Sequence, residues 1–166
     1  MTSTLERPTP ADLRLCYLAE LSGGTSSGSS LLHGRWASEE EYVARLTQGV
    51  SDLRLVRAQE TSREILGFVG LSQLNLSQQA GYLHHGAFRE SMLFWRAADD
   101  YISQVCNLFP LRRMYVELRS SDFDLLRVVQ AHHGVHHACL RDHRFHDGSF
   151  VDVDLWSIDF APDSGQ

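Results

Sequence analysis

Apolar and polar positions along the 166-residue chain change period several times, and each change marks the edge of an element. LERPT (5–9) reads as a short strand, and Pro10 then opens ADLRLCYLAEL, whose apolar residues recur at helical spacing. SGGTSSGSS (22–30) has nothing to pack and predicts a mobile loop. Ser38 and Glu41 have the spacing of a capping box for a helix over EEEYVARL. LRLVRA (53–58), ILGFVGLSQLNL (65–76) and QQAGYLHH (78–85) follow as strands. Residues 91–108 carry the clearest helical stripe, Phe94, Ala98, Tyr101, Val105 and Leu108, and Pro110 ends it. RMYVEL (113–118) reads as a buried strand. A fourth helix follows over DLLRVVQAHH, capped by Asp122 and stopped by Gly134. HHACLR and VDVDLWSI flank a hairpin with Asp147-Gly148 at its corner. Helices that alternate with strands and give way to an antiparallel hairpin imply an α/β (α+β) domain, a mixed sheet with helices on its faces.

Composition narrows the function classes. A net charge of -6 provides no basic footprint for nucleic acid or anionic lipid. No apolar run approaches membrane-spanning length, and MTSTLERPTP lacks the apolar core of a signal peptide. Cys16, Cys106 and Cys139 form no CxxC pair and read as reduced thiols of a cytoplasmic protein. All 15 basic residues are arginine, which removes a Schiff-base lysine and suggests a GC-rich, actinobacterial coding sequence. Nine histidines invite a metal reading. The adjacent pairs His132-His133 and His136-His137 cannot readily share an ion on a strand, and no carboxylate or cysteine completes a ligand spacing. No metal site is expected.

The order of elements, with LRDHRFHDGSFVDVDLW (140–156), LRRMYVEL (111–118) and ILGFVGL (65–71), resembles the GNAT superfamily of acyl-CoA N-acyltransferases. The likeness runs through nearly the whole chain and is greatest to the branch containing ribosomal-protein alanine acetyltransferases. It implies one domain over 1–166, a mostly antiparallel sheet of about seven strands, helices on both faces, and a disordered tail over 161–166. Members hold the coenzyme A pyrophosphate on an R-G-x-G-x-G/A loop at the start of the central helix, and that loop falls on residues 89–94. Arg89 keeps its place, the one residue left to hold coenzyme A if it binds; Glu90, Met92 and Phe94 stand where glycines are expected. Side chains there block a close backbone approach, and Glu90 repels phosphate. The family's acid near the fourth strand is Gln79 here, and its helical tyrosine is Val129 or Gln130. No cofactor is therefore expected, acetyl-CoA entering only under the alternative below.

The resemblance also implies a cleft where the fourth and fifth strands part. Its borders are expected to be Tyr82, His84 and His85 on one side and Tyr115 and Glu117 on the other, with Met92 and Phe94 closing the former phosphate end. His84, His85 and Glu117 are the candidate catalytic groups, because a histidine facing a carboxylate can move a proton near neutrality. Either histidine can equally be a plain wall residue, and Glu117 can be the partner of Arg113 or Arg119. His33, Arg35 and Trp36 follow the Gly/Ser loop in the region that shapes the family's acceptor site, and His33 and Trp36 are assigned to the substrate pocket.

Three functions remain open. The first is a repurposed enzyme acting on a small molecule without acetyl-CoA in the usual place, for example in tailoring a bacterial secondary metabolite. The second is an acyl-CoA-dependent N-acetyltransferase with a rebuilt coenzyme loop. The third is a non-catalytic binding protein. The expected partner is a small molecule, with a homodimer also open.

Overall fold

In the computed structural model, residues 2–22, 38–59, 64–89, 91–146 and 149–160 are described. The Gly/Ser stretch from Gly23, the pocket candidates His33 and Trp36, Glu90, the Asp147-Gly148 corner and the 161–166 tail lie outside the described residues.

The described elements are β1 (Ser3–Glu6), α1 (Pro10–Leu21), α2 (Glu39–Thr47), β2 (Val50–Ala58), β3 (Ile65–Asn75), β4 (Ala80–Ala87), α3 (Met92–Leu108), β5 (Arg113–Arg119), α4 (Phe123–Ala131), β6 (Val135–His146) and β7 (Ser149–Asp159). The seven strands form one sheet in the order β1-β2-β3-β4-β5-β7-β6. Every neighbouring pair is antiparallel except β4 and β5, which run parallel.

Helices cover both faces. On one, Cys16, Tyr42 and Leu46 of α1 and α2 pack on Leu55 and Phe68 of β2 and β3. On the other, Phe94, Ala98, Ile102 and Val105 of α3 and Leu125 and Val129 of α4 pack on Val56, Val69, Leu71, Leu83, Met114 and Val116. The α3 stripe read from the sequence is buried from Phe94 to Val105, and only its last member, Leu108, is exposed. Phe109 turns extended ahead of Pro110, as the proline ring requires of the residue before it.

Local signals explain most of the boundaries. Thr9 and Asp12 make a reciprocal capping box at the start of α1. Ser38 Oγ accepts the Glu41 amide, 3.2 Å, at the start of α2. Three expectations are corrected. The first strand is Ser3–Glu6 and not 5–9, because Pro8 has no N–H for the ladder and Thr9 is already committed to the helix cap. Asp122 precedes α4 but makes no side-chain cap; its carboxylate is taken by Arg119. At the end of α4 the left-handed residue is His133, with φ 56°, and Gly134 is needed because a Cβ there would collide with Val129.

Candidate functional site: the gap between β4 and β5

Parallel pairing of β4 with β5 lasts for three residue pairs, Ala80 with Arg113, Gly81 with Met114 and Tyr82 with Tyr115. Beyond them β4 stays on β3, still in register at Ala87 opposite Gly67, while β5 stays on β7, in register at Arg119 opposite Val153. The two strands therefore diverge, and their facing edges no longer pair with each other over Leu83–Ala87 and Val116–Arg119. The V opens toward the starts of α3 and α4, which follow the two strands in the chain.

At the apex the rings of Tyr82 and Tyr115 lie 5.2 Å apart, tilted by 31°. They line a cavity of about 460 Å³ with Gln73, Asn75, Gln78 and Leu155. Burial, then the nearby Glu117 and Tyr115, push the Tyr82 hydroxyl above its ordinary pKa. Tyr115 also lines a neighbouring cavity of about 620 Å³, walled by Arg112 and by Arg113, which Asp159 holds at 2.5 and 3.0 Å.

Strand alternation sends the two histidines to opposite faces. His84 is completely buried, its ring 5.0 Å from Phe68 on the side of α1 and α2. Burial, with His85 adding a little, lowers its pKa to about 3. His85, 1% exposed, lies on the side of α3, 6.5 Å from the Trp95 ring. Burial lowers its pKa to about 4, and the charges of Asp122, Arg119 and Arg144 also reach it. Both imidazoles are thus neutral at physiological pH.

Glu117 belongs to neither histidine. Its carboxylate accepts a hydrogen bond from Arg144 of β6, while Arg113 is engaged by Asp159 and Arg119 by Asp122. The histidine–carboxylate pair expected across the cleft is not formed: alternation puts His85 on the face away from Glu117, His84 packs on Phe68, and Arg144 takes the Glu117 carboxylate.

Arg119, Asp122 and Arg144 are the residues that sequence reasoning missed. Asp122 accepts the Arg119 amide at 2.9 Å and its guanidinium at 2.7 to 3.2 Å, with side-chain exposures of only 2% for Arg119 and 4% for Asp122. The available signal was alternation along RMYVELR, which puts Arg119 on the same side as Tyr115 and Glu117. Arg144 carried no such signal, since β6 loses register between Leu140 and Arg144.

The start of α3, where the resemblance placed a phosphate loop, is capped by Ser91. Ser91 Oγ accepts the Leu93 amide at 3.2 Å, and the Ser91 carbonyl accepts those of Phe94 and Trp95 at 3.0 and 3.3 Å. Phe94 does not face the cleft; it is fully buried beneath Gly67, where an added Cβ would stand 2.5 Å from its ring. Met92 is 79% exposed and lies on the rim of a separate groove of about 440 Å³ between α3 and α4, with Leu93, Trp95, Val128 and Ala131. Neither residue closes the cleft. Arg89 is exposed, 3.5 Å from Glu64. Gln79 sits in the β3–β4 turn with φ 52°, Val129 is buried and Gln130 exposed. Among the described residues no group of three or more His, Cys, Asp or Glu side chains could hold a metal ion, and no helix is long and apolar enough to cross a membrane.

Comparison at the level of sequence finds no matching family model and no matching curated protein. Solved structures do match. Dodecameric spermidine N-acetyltransferase from Vibrio cholerae superposes with a TM-score of 0.71 at 14% identity, covering 95% of this chain and 94% of that one. The RimL ribosomal L7/L12 alpha-N-protein acetyltransferase, solved with coenzyme A, gives 0.71 at 13% identity, covering 96% and 95%. An acetyl transferase from Salmonella typhimurium that modifies the N-terminal serine of L7/L12 gives 0.70 at 13%, covering 97% and 96%. The chain has the fold of the GNAT acetyltransferases over nearly its full length.

Proposed function

We propose that this protein is a GNAT-fold enzyme that acts on a small molecule in the gap between β4 and β5 and does not seat the pyrophosphate of acetyl-CoA at the start of α3. The observation that carries this reading is Ser91. A pyrophosphate at a helix N-terminus needs backbone amides that point at it unclaimed. Here Ser91 Oγ takes the Leu93 amide and the Ser91 carbonyl that of Phe94, while the Trp95 amide makes the ordinary first bond of the helix to the same carbonyl. The exposed Met92 side chain stands at a position where the resemblance expects glycine, while Phe94 turns into the core. The V between the strands nevertheless survives, and the cavity at its apex, walled by Tyr82, Tyr115, Gln73 and Gln78, suits a small ligand.

A second reading is favoured by the α3–α4 groove. Its floor is apolar and its rim carries Arg96 and Arg127, the latter paired with Asp124, together with Asp99; a coenzyme held there by its apolar part would avoid the loop, and the protein would then be an acyl-CoA-dependent N-acyltransferase. Structural neighbours named for acetyl transfer to spermidine and to a protein N-terminus support an amine acceptor in that case.

Isothermal titration with acetyl-CoA and with coenzyme A separates the two. No binding in the low micromolar range is expected. A dissociation constant of about 1 μM corresponds to about -8 kcal/mol, more than a site without its phosphate cradle can supply, and such a value would replace the first reading by the second.

A further inference from the structure

The cavity at the apex of the V does not stand alone. It shares Gln78, Ala80 and Tyr115 with the neighbouring cavity of about 620 Å³, so the two adjoin along the paired residues of β4 and β5. Both lie on the face of β5 that carries Arg113 and Tyr115; Met114 and Val116, which alternate with them, are buried in the core with α3 and α4. Past Tyr115 in one direction the walls are polar but uncharged, with Gln73, Asn75 and Tyr82. In the other direction they carry charge, with Arg112, Arg113 and Asp159.

Those charges do not cancel. Arg113 is matched by Asp159 through hydrogen bonds of 2.5 and 3.0 Å, and no other carboxylate among the described residues lines either cavity. Arg112 makes no ion pair and no side-chain hydrogen bond among the described residues. Its backbone is nevertheless fixed: the amide donates to the Gln79 carbonyl at 2.7 Å, and the carbonyl accepts the Phe160 amide at 2.9 Å. An exposed arginine is ordinarily just solvated. This one is rooted in a cavity wall, with its N–H donors uncommitted and its positive charge unmatched.

We infer that the small molecule bound at the gap is a singly charged carboxylate with a polar, uncharged body, its acid group meeting Arg112 and its body lying past Tyr115 toward Tyr82. The inference rests on the reading of the gap as the working site and adds to it the class of ligand. The planar guanidinium fork matches the two oxygens of a carboxylate. One unmatched cation balances one negative charge, and a dianion would leave the second uncompensated. A cationic ligand would meet Arg112 with no unclaimed carboxylate on the described walls to offset it. The amide and hydroxyl groups of Gln73, Asn75 and Tyr82 offer both donors and acceptors to an uncharged polar body.

The test is titration of the ¹⁵N-labelled full chain at neutral pH, read from arginine side-chain and backbone amide resonances. The probe is N-acetylglycylglycine, a monoanion with an amide body; its C-terminal amide is the uncharged control and ethylammonium the cationic one. The acid should shift both Arg112 and Tyr82, and should bind at least about threefold more tightly than the amide. Arg112→Gln should remove that advantage without changing the amide's affinity or the thermal midpoint, since the side chain is exposed. Arg141→Gln, on β6 and lining neither cavity, should leave the advantage intact. The inference is overturned if the acid leaves Arg112 or Tyr82 unmoved, if acid and amide bind alike, or if ethylammonium binds as tightly as the acid. It is also overturned if Arg112→Gln keeps the advantage or Arg141→Gln abolishes it. Displacement of the acid by inorganic phosphate at equal concentration would overturn it by making the anion a phosphate group. Equal binding of acid and amide at Tyr82 sinks the inference and leaves the gap as a site, whereas low-micromolar binding of acetyl-CoA removes the reading beneath it, so the two failures are distinguishable.

Discussion

Acidification should destabilise this protein well before its carboxylates titrate. His84 and His85 have folded pKa values of about 3 and about 4, against 6.5 for an unperturbed histidine. Because the folded values are the lower ones, the unfolded chain binds more protons below pH 6.5, and stability falls as the pH falls. The loss per histidine continues until the pH passes its folded value. From pH 7.5 to pH 5, each imidazole forfeits about 2 kcal/mol and the two together about 4 kcal/mol. Asp159, lowered by its hydrogen bond with Arg113, stabilises above its unfolded value of 3.8 and loses that contribution only below it, outside the window. Urea unfolding at the two pH values, followed by circular dichroism and tryptophan fluorescence, gives the difference directly, and His85→Phe should remove about half of it. A change under about 1 kcal/mol would refute the reasoning, since it would mean that the imidazoles are charged or hydrated in the folded state.

Two further predictions concern the walls of the gap. Asp122→Ala removes the carboxylate that accepts from the buried Arg119 guanidinium and should cost about 3–5 kcal/mol in urea unfolding; a loss under about 1 kcal/mol would show that the pair is solvated. Gly67→Ala puts a methyl group 2.3 Å from the Gly86 carbonyl oxygen and 2.5 Å from the Phe94 ring, and should lower stability by about 1–3 kcal/mol. An unchanged thermal midpoint would mean that neither β4 nor Phe94 is held that close to Gly67.

The elements were legible in the sequence because their signals are local. Ser38 before three glutamates, Pro10 after Thr9, the Phe94–Val105 stripe and Pro110 each act within one or two turns, and each is found where it was read. The parting of β4 from β5 came from resemblance, and only tertiary pairing reveals it. Side-chain partners were the least legible. Glu117 had two arginines nearby in sequence, yet it pairs with Arg144, 27 residues away, because β7 and β6 bring that residue across the sheet. Phe94 was placed in the cleft by its alignment with a glycine, although its helical phase, shared with Ala98 and Tyr101, already pointed into the core. Adjacent His84 and His85 were equivalent on paper, and only their neighbours Phe68 and Trp95 distinguish them.

The three-pair seam between β4 and β5 makes the sheet two leaves with a short spine. One leaf is β1 to β4, the other β5, β7 and β6. Each leaf keeps its own antiparallel ladders, while α3 packs on the first leaf, α4 on the second, and the two helices touch across the seam. Widening the gap therefore breaks few backbone hydrogen bonds, and the molecule can breathe there at a free energy far below that of global unfolding. Under the proposed reading, admission of a ligand then follows from strand order.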